Sequence, residues 1–106
     1  HPNTAEKRDI SDGDWIKISS PQGQIFARAR FKKYLDERVV SATAGWWQDC
    51  SHLALTKLKT SEGLCANFNI LISNDLEDPI SGSVPHRSYL CEVSPLTAEE
   101  REQSGL

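Results

Sequence analysis

The chain has 106 residues, 38% of them apolar and 25% charged, with a net charge of −3. That length makes one domain with one core, and that composition excludes a disordered polar chain. The acidic balance argues against nucleic acid as a partner, because neutralising phosphates needs a clustered positive surface. No apolar run approaches the roughly 20 residues that cross a bilayer, so direct membrane contact is not expected.

Residues 1–10 read as a short helix. Pro2 suits a first turn, Asn3 or Thr4 can cap, and Glu6 stands at capping-box spacing from Asn3. Asp12, Gly13 and Asp14 form a tight turn. Residues 15–19 alternate like a half-buried strand. Pro21 and Gly23 then punctuate a turn, and residues 24–33 alternate again. Ile25, Ala27, Ala29 and Phe31 share one face of that second strand, and Arg28, Arg30 and Lys32 share a basic, solvated one. The pair predicts a hairpin. Residues 38–43 are rich in β-branched side chains and predict a third strand after a break at Asp36 and Glu37. Gly45, Trp46 and Trp47 end it. Adjacent tryptophans on an extended backbone face opposite ways, which predicts one in the core and one at a partner or cleft wall. Trp15 reads as packing. Residues 48–61 carry only a faint amphipathic pattern through Leu53, Leu55 and Leu58, and Glu62 with Gly63 marks a turn. Residues 66–72 predict one helical turn with Asn67 as its cap. Residues 74–84 read as a polar loop and residues 88–93 as the last strand. Thr97 and Glu100 predict a capping box for a charged tail helix, frayed or docked elsewhere on a parent protein. Short strands, turn signals and little helix point to a small β-barrel or sandwich.

The chemistry concentrates between Asn67 and Ser83. Asn67, Asn69, Asn74, Asp75 and Asp78 surround the short apolar run Ile70, Leu71 and Ile72. Amides both donate and accept, and a carboxylate accepts from paired N–H groups, so this set suits a polar ring system. No Ser-His-Asp or Cys-His arrangement stands out, and no catalytic residue is assigned. Cys50, Cys65 and Cys91 are odd in number and form no Cys-x-x-Cys pair, so reduced and mostly buried thiols are expected. His52 near Cys50 and His86 near Cys91 are too irregularly spaced to make a zinc site.

Three blocks carry a likeness to a known family. The first is His1-Pro2-Asn3-Thr4-Ala5 followed by Asp12-Gly13-Asp14-Trp15 and the turn at Pro21 to Gly23. The second is Gly45-Trp46-Trp47 after Val39 and Val40. The third runs from Asn67-x-Asn69-x-Leu71 through Asp78-Pro79-Ile80-Ser81-Gly82 to Arg87-Ser88-Tyr89-Leu90-Cys91-Glu92-Val93. In this order the chain resembles the C-terminal molybdopterin-dinucleotide-binding domain of molybdenum and tungsten oxidoreductases related to dimethyl sulfoxide reductase. The Asp-Pro-Ile-Ser element with the Cys-x-Val strand is most similar to the acetylene hydratase, formate dehydrogenase and nitrate reductase branch. Two departures stand out: Ile72 and Ser73 replace the family's usual Thr after the apolar pair, and His86 replaces an aromatic before the late basic residue.

The resemblance implies a mainly β fold, a small closed six-stranded double-psi β-barrel with short helices. It would span residues 1–95, with residues 96–106 as a polar tail helix. The implied cofactor is molybdopterin guanine dinucleotide, carrying molybdenum or tungsten. Asn69 and Asn67 would meet its polar edge, Asp78 (or Asp75) would accept from guanine N–H groups, and Arg87 would pair with pyrophosphate or a pterin oxygen. His86 would stack on or donate to the cofactor, and Trp46 and Trp47 would offer a wall. The metal ligand and any iron–sulfur cysteines would lie in other domains, so this chain is not expected to be catalytic alone. Its partners would be the remaining domains of the parent and an iron–sulfur subunit. The parent would be cytoplasmic, or periplasmic if it carries a twin-arginine signal. The start at His1 rather than Met is read as a cut. Two other readings of such a barrel remain: an adaptor that docks a protein or peptide partner, and a pyruvoyl-type decarboxylase using Gly82 and Ser83.

Overall fold

The computed structural model describes residues 1–42, 67–73, 75, 77–84 and 89–104. The described elements, in chain order, are α1 (Pro2–Glu6), β1 (Trp15–Ser20), β2 (Gly23–Arg28), a 3-10 turn (Phe68–Leu71), β3 (Glu92–Pro95) and α2 (Ala98–Ser104). The three strands make an antiparallel sheet in the order β2-β1-β3, with β1 central.

Helix α1 is capped by His1, not by Asn3 or Thr4: the Asn3 amide donates to His1 Nδ1 at 3.1 Å. Pro2 fills the next position, where a missing N–H costs nothing. The helix stops after one turn. Asp9 takes a left-handed φ of 56°, the Ile10 amide donates to the Ala5 carbonyl at 3.0 Å, and the Asp9 amide donates to Glu6 at 3.2 Å. That pair of bonds is a Schellman closure, and its apolar contact joins Ile10 to Ala5 in the core.

The Asp12 to Asp14 turn is held by its own side chains. The Ser11 amide donates to Asp14 Oδ2 at 2.8 Å, and Gly13 takes the positive φ of 89° that a turn of this kind needs. Past Arg28 the chain keeps pairing for one more residue, through Gly13 N–H to the Ala29 carbonyl and Ala29 N–H to the Asp14 carbonyl. Asp12 then accepts from the Phe31 amide at 2.7 Å. The predicted strand over 24–33 is therefore shorter, because its partner turns away at Gly13 and a carboxylate replaces the ladder.

Alternation sorts the sheet into two faces. Ile16, Ile18 and Ile25 point to one side, where Ile10 and Leu71 complete a buried cluster and Phe31, Phe68, Ile70 and Val93 pack against it. The other face is not wholly solvated. Phe26 is only 6% exposed there and packs with Leu96 and Trp15. Arg28 stacks over the Trp15 ring at 5.6 Å, directly across the hairpin. The basic face predicted for β2 thus begins in a second core. Leu96 brings α2 over that face, and Lys17 pairs with Glu100. The tail helix opens with the predicted capping box: Glu100 N–H donates to Thr97 Oγ1 at 3.1 Å, and Thr97 N–H to Glu100 Oε2 at 2.9 Å.

Two predicted strands are corrected. Residues 38–42 are not a strand. Asp36 takes the Arg38 amide at 2.8 Å and its guanidinium through both oxygens, which bends the chain, and Val39 and Val40 stay 48% and 45% exposed. The guanidinium and amide of Arg38 hold the Asp36 carboxyl down at about 2. β-Branched residues favour strands only where a pleated surface receives them. The last strand begins at Glu92 rather than at 88. Its pairing runs from Ser19–Glu92 to Ile16–Pro95, and β1 ends at Ser20, so the register leaves Tyr89 and Leu90 no residue of β1 to pair with. Thr43, residues 48–61, Glu62 with Gly63, and Ser88 lie outside the described residues. The described residues form an open three-stranded sheet with short helices.

Candidate functional site

The Asn67 segment is built as the sequence suggests. Asn67 Oδ1 accepts from the Asn69 amide at 3.1 Å and caps the 3-10 turn, and the Asn67 carbonyl accepts from Ile70. Asn67 is thus engaged as a cap. Asn69 lies one position further out. Its backbone is used, N–H toward Asn67 and carbonyl toward Ile72, while its exposed side-chain amide takes no bond among the described residues. Leu71 is the buried anchor of the turn.

Two contacts from the hairpin hold this turn in place. Ser20 Oγ donates to the Leu71 carbonyl at 2.9 Å. Gly23 faces Ile70 so closely that a Cβ there would lie 2.7 Å from Ile70 Cγ2. The sequence shows Ser20 and Gly23 only as turn residues, since neither signal reaches beyond the hairpin. Further along, the Tyr89 hydroxyl donates to the Ser73 carbonyl.

Asp78 organises its own loop. Its Oδ1 accepts from Ser81 N–H at 2.8 Å, Ile80 N–H at 2.9 Å and Ser81 Oγ at 3.2 Å. Its backbone closes the loop, accepting from Gly82 and donating to Ser83, each at 2.8 Å. The Ser81 and Ile80 amides, then the Ser81 hydroxyl, hold this carboxyl below the usual carboxylate range. The exposed carboxylate is therefore charged near neutral pH, and its Oδ2 accepts nothing among the described residues. Asp75 is also exposed, its amide donating to Ser73 Oγ. No hydrogen bond among the described residues joins Asn69 to Asp78. Trp46, Trp47, His86 and Arg87 lie outside the described residues.

Other features point elsewhere. An open depression of about 290 Å³ lies between the ends of β1 and β3, lined by Ser19, Ser20, Pro21, Leu90, Cys91 and Glu92. None of the described candidate binding residues lines it. Cys91 is exposed, against the expectation of buried thiols; Cys50 and Cys65 lie outside the described residues. The backbone and side chains around the Cys91 sulfur still desolvate it, and with Glu92 nearby this raises the thiol pKa, which disfavours the thiolate a metal needs. Among the described residues no three His, Cys, Asp or Glu side chains gather as a metal site. The described donors can meet the N–H and carbonyl edges of a ring system.

The sequence profile of the family described as "Molydopterin dinucleotide binding domain" matches residues 1–90. The chain belongs to this family. Over 67 residues, 63% of the chain, the domain is 33% identical to a trimethylamine-N-oxide reductase of Haemophilus influenzae. Over 47 residues, 44% of the chain, it is 30% identical to a putative catalytic subunit of dimethyl sulfoxide reductase from Halobacterium salinarum. The matched segments amount to 8% and 6% of those relatives, so the chain matches only a small part of either. Both names are those of N-oxide and sulfoxide reductases, not of the hydratase, formate or nitrate branch. No solved structure matches significantly.

Proposed function

We propose that the domain binds the guanine dinucleotide form of molybdopterin on behalf of a larger molybdenum or tungsten oxidoreductase. The observation that carries this reading is the family match across residues 1–90. The chemistry of two described side chains supports it. The Asn69 side-chain amide is exposed and takes no bond among the described residues, so it can donate to a ring carbonyl and accept from a ring N–H. Asp78 offers a charged oxygen from a loop already rigidified by its other oxygen, and so can accept from adjacent N–H groups such as those of guanine. Because its turn is formed beforehand, little ordering would be needed on binding.

Trp46 and Trp47 as a cofactor wall, Asn67 as a second amide, and His86 and Arg87 toward the pyrophosphate or pterin complete the proposed contact set. The closed six-stranded double-psi barrel is proposed on the same family ground. So are the partners, which are the remaining domains of the parent and its iron–sulfur subunit. When bound, the cofactor supplies the metal through its dithiolene sulfurs, and the metal ligand from protein lies outside this chain. The domain's own work is to bind and orient the cofactor and to place hydrogen bonds on the pterin, which tune electron density at the metal. The test is made in the parent enzyme with Asn69→Ala and Asp78→Asn. Pterin content per mole of protein and the metal's reduction potential are measured. Loss of pterin or a shifted potential is expected. If both variants match the wild type in both readouts, the reading fails.

A further inference from the structure

The 3-10 turn that presents Asn69 has only four residues and one buried side chain, Leu71. A piece this short is not stable by its own hydrogen bonds, so its orientation must come from what it rests on. It rests on the β1–β2 turn at two points. The Ser20 hydroxyl bonds the Leu71 carbonyl at 2.9 Å and also accepts from the Gln22 amide at 3.2 Å, which ties the hairpin turn to the 3-10 turn through one oxygen. At Gly23 the fit is steric. Besides Ile70 Cγ2, a Cβ would meet the Ile70 carbonyl oxygen at 3.2 Å. Ile70 is β-branched, so Cγ2 sits close to its own backbone and cannot swing far. Any side chain at 23 must push the Ile70 backbone, and Asn69 is its immediate neighbour. Both seats lie immediately C-terminal to Asn69, whose side-chain amide takes no bond among the described residues.

We infer that Ser20 and Gly23 are positioning residues that set the Asn69 amide for the cofactor. This rests on the reading of Asn69 given above. Binding groups work only when held within about half an ångström of their productive place, so a shifted turn weakens the contact without touching the ligand.

The experiment uses the full parent enzyme with Ser20→Ala, Ser20→Thr, Gly23→Ala, Asn69→Ala and the Ser20→Ala/Asn69→Ala pair. Two quantities are read: the rate at which molybdopterin is lost from the purified protein, and hydrogen exchange of the amides at residues 68–72. Losing one such hydrogen bond weakens retention by roughly fivefold. Ser20→Ala and Gly23→Ala are expected to lose cofactor at least that much faster and to speed exchange at 68–72. Ser20→Thr, which keeps the hydroxyl, is expected to restore both. In the Asn69→Ala background, Ser20→Ala is expected to add nothing to cofactor loss. A purely structural Ser20 gives the opposite: its effect adds in full to that of Asn69→Ala, or exchange rises while retention stays at the wild-type value, and either result overturns the inference. If Asn69→Ala alone leaves retention unchanged while Asp78→Asn still weakens it, the positioning role falls and the cofactor reading stands. If neither changes retention, the cofactor reading itself has failed.

Discussion

Leu96→Ala tests whether the outer face of the sheet is a second core. Leu96 is 7% exposed and shares its cluster with Phe26 at 6% and the half-buried Trp15. Truncating a buried leucine costs about 2–5 kcal/mol, the spread depending on how far the site can collapse. Among the described residues this cluster has two buried members and lies beside α2, a single short helix, so collapse is easy and about 2 kcal/mol is expected. The competing account is that α2 is held by the Lys17–Glu100 pair. Both partners of that pair are about one-fifth exposed (23% and 22%), and a pair of that kind contributes at most about 1 kcal/mol after solvent screening. Urea denaturation of the 106-residue chain, followed by tryptophan fluorescence, separates the two. Leu96→Ala should lower the midpoint well beyond Glu100→Gln, with the slope unchanged. Phe26→Ala should cost a similar amount, and the double variant should fall short of the sum because the two side chains touch. A Leu96→Ala variant as stable as the wild type, beside a strongly destabilised Glu100→Gln, would refute this account of the face.

Asn67→Ala removes the cap of the 3-10 turn and is expected to cost about 1 kcal/mol, measurable by the same denaturation; no loss would show the cap to be redundant. Asp9 holds a left-handed φ of 56°, so Asp9→Gly relieves strain and is expected to raise stability by several tenths to about 1 kcal/mol, read as a higher melting temperature. The Glu100 carboxyl is held below its ordinary value by Lys17, then by the Thr97 amide. A depressed folded-state pKa means this contribution is present above the unfolded value of about 4.3 and is lost as pH falls through the folded value. Glu100→Gln should therefore flatten the acid limb of stability against pH, and an unchanged limb would show that Glu92 and Asp78, also depressed, account for it.

The candidate site was legible to different depths. Asn67 as a cap could be read directly, because the bond spans two residues. Asp78 could be read as either a turn former or a ligand, and the structure shows one oxygen spent on the turn while the other accepts nothing among the described residues. That Asn69 is presented by Ser20 and Gly23 was not legible, since the partners stand about fifty residues apart in sequence, as the Ser20–Leu71 separation of 51 shows.

What the sequence by itself determined here are features closed within a short stretch of chain, namely the Thr97–Glu100 capping box, the Asn67 cap and the Asp12 to Asp14 turn, together with the hairpin around Pro21 and the ordered motifs that mark the family. In the two caps and the Asp12 to Asp14 turn the donor and acceptor stand two or three residues apart, so local geometry is enough to close them. Only the tertiary structure decided where strands begin and end and which faces are covered. Val39 and Val40 carry strand propensity but meet no sheet, β3 starts where β1 can still receive it, and Phe26 is buried because Leu96 arrives from seventy positions away. A strand exists only if a partner is free to pair with it, and a face is core only if something covers it; both conditions belong to other segments of the chain.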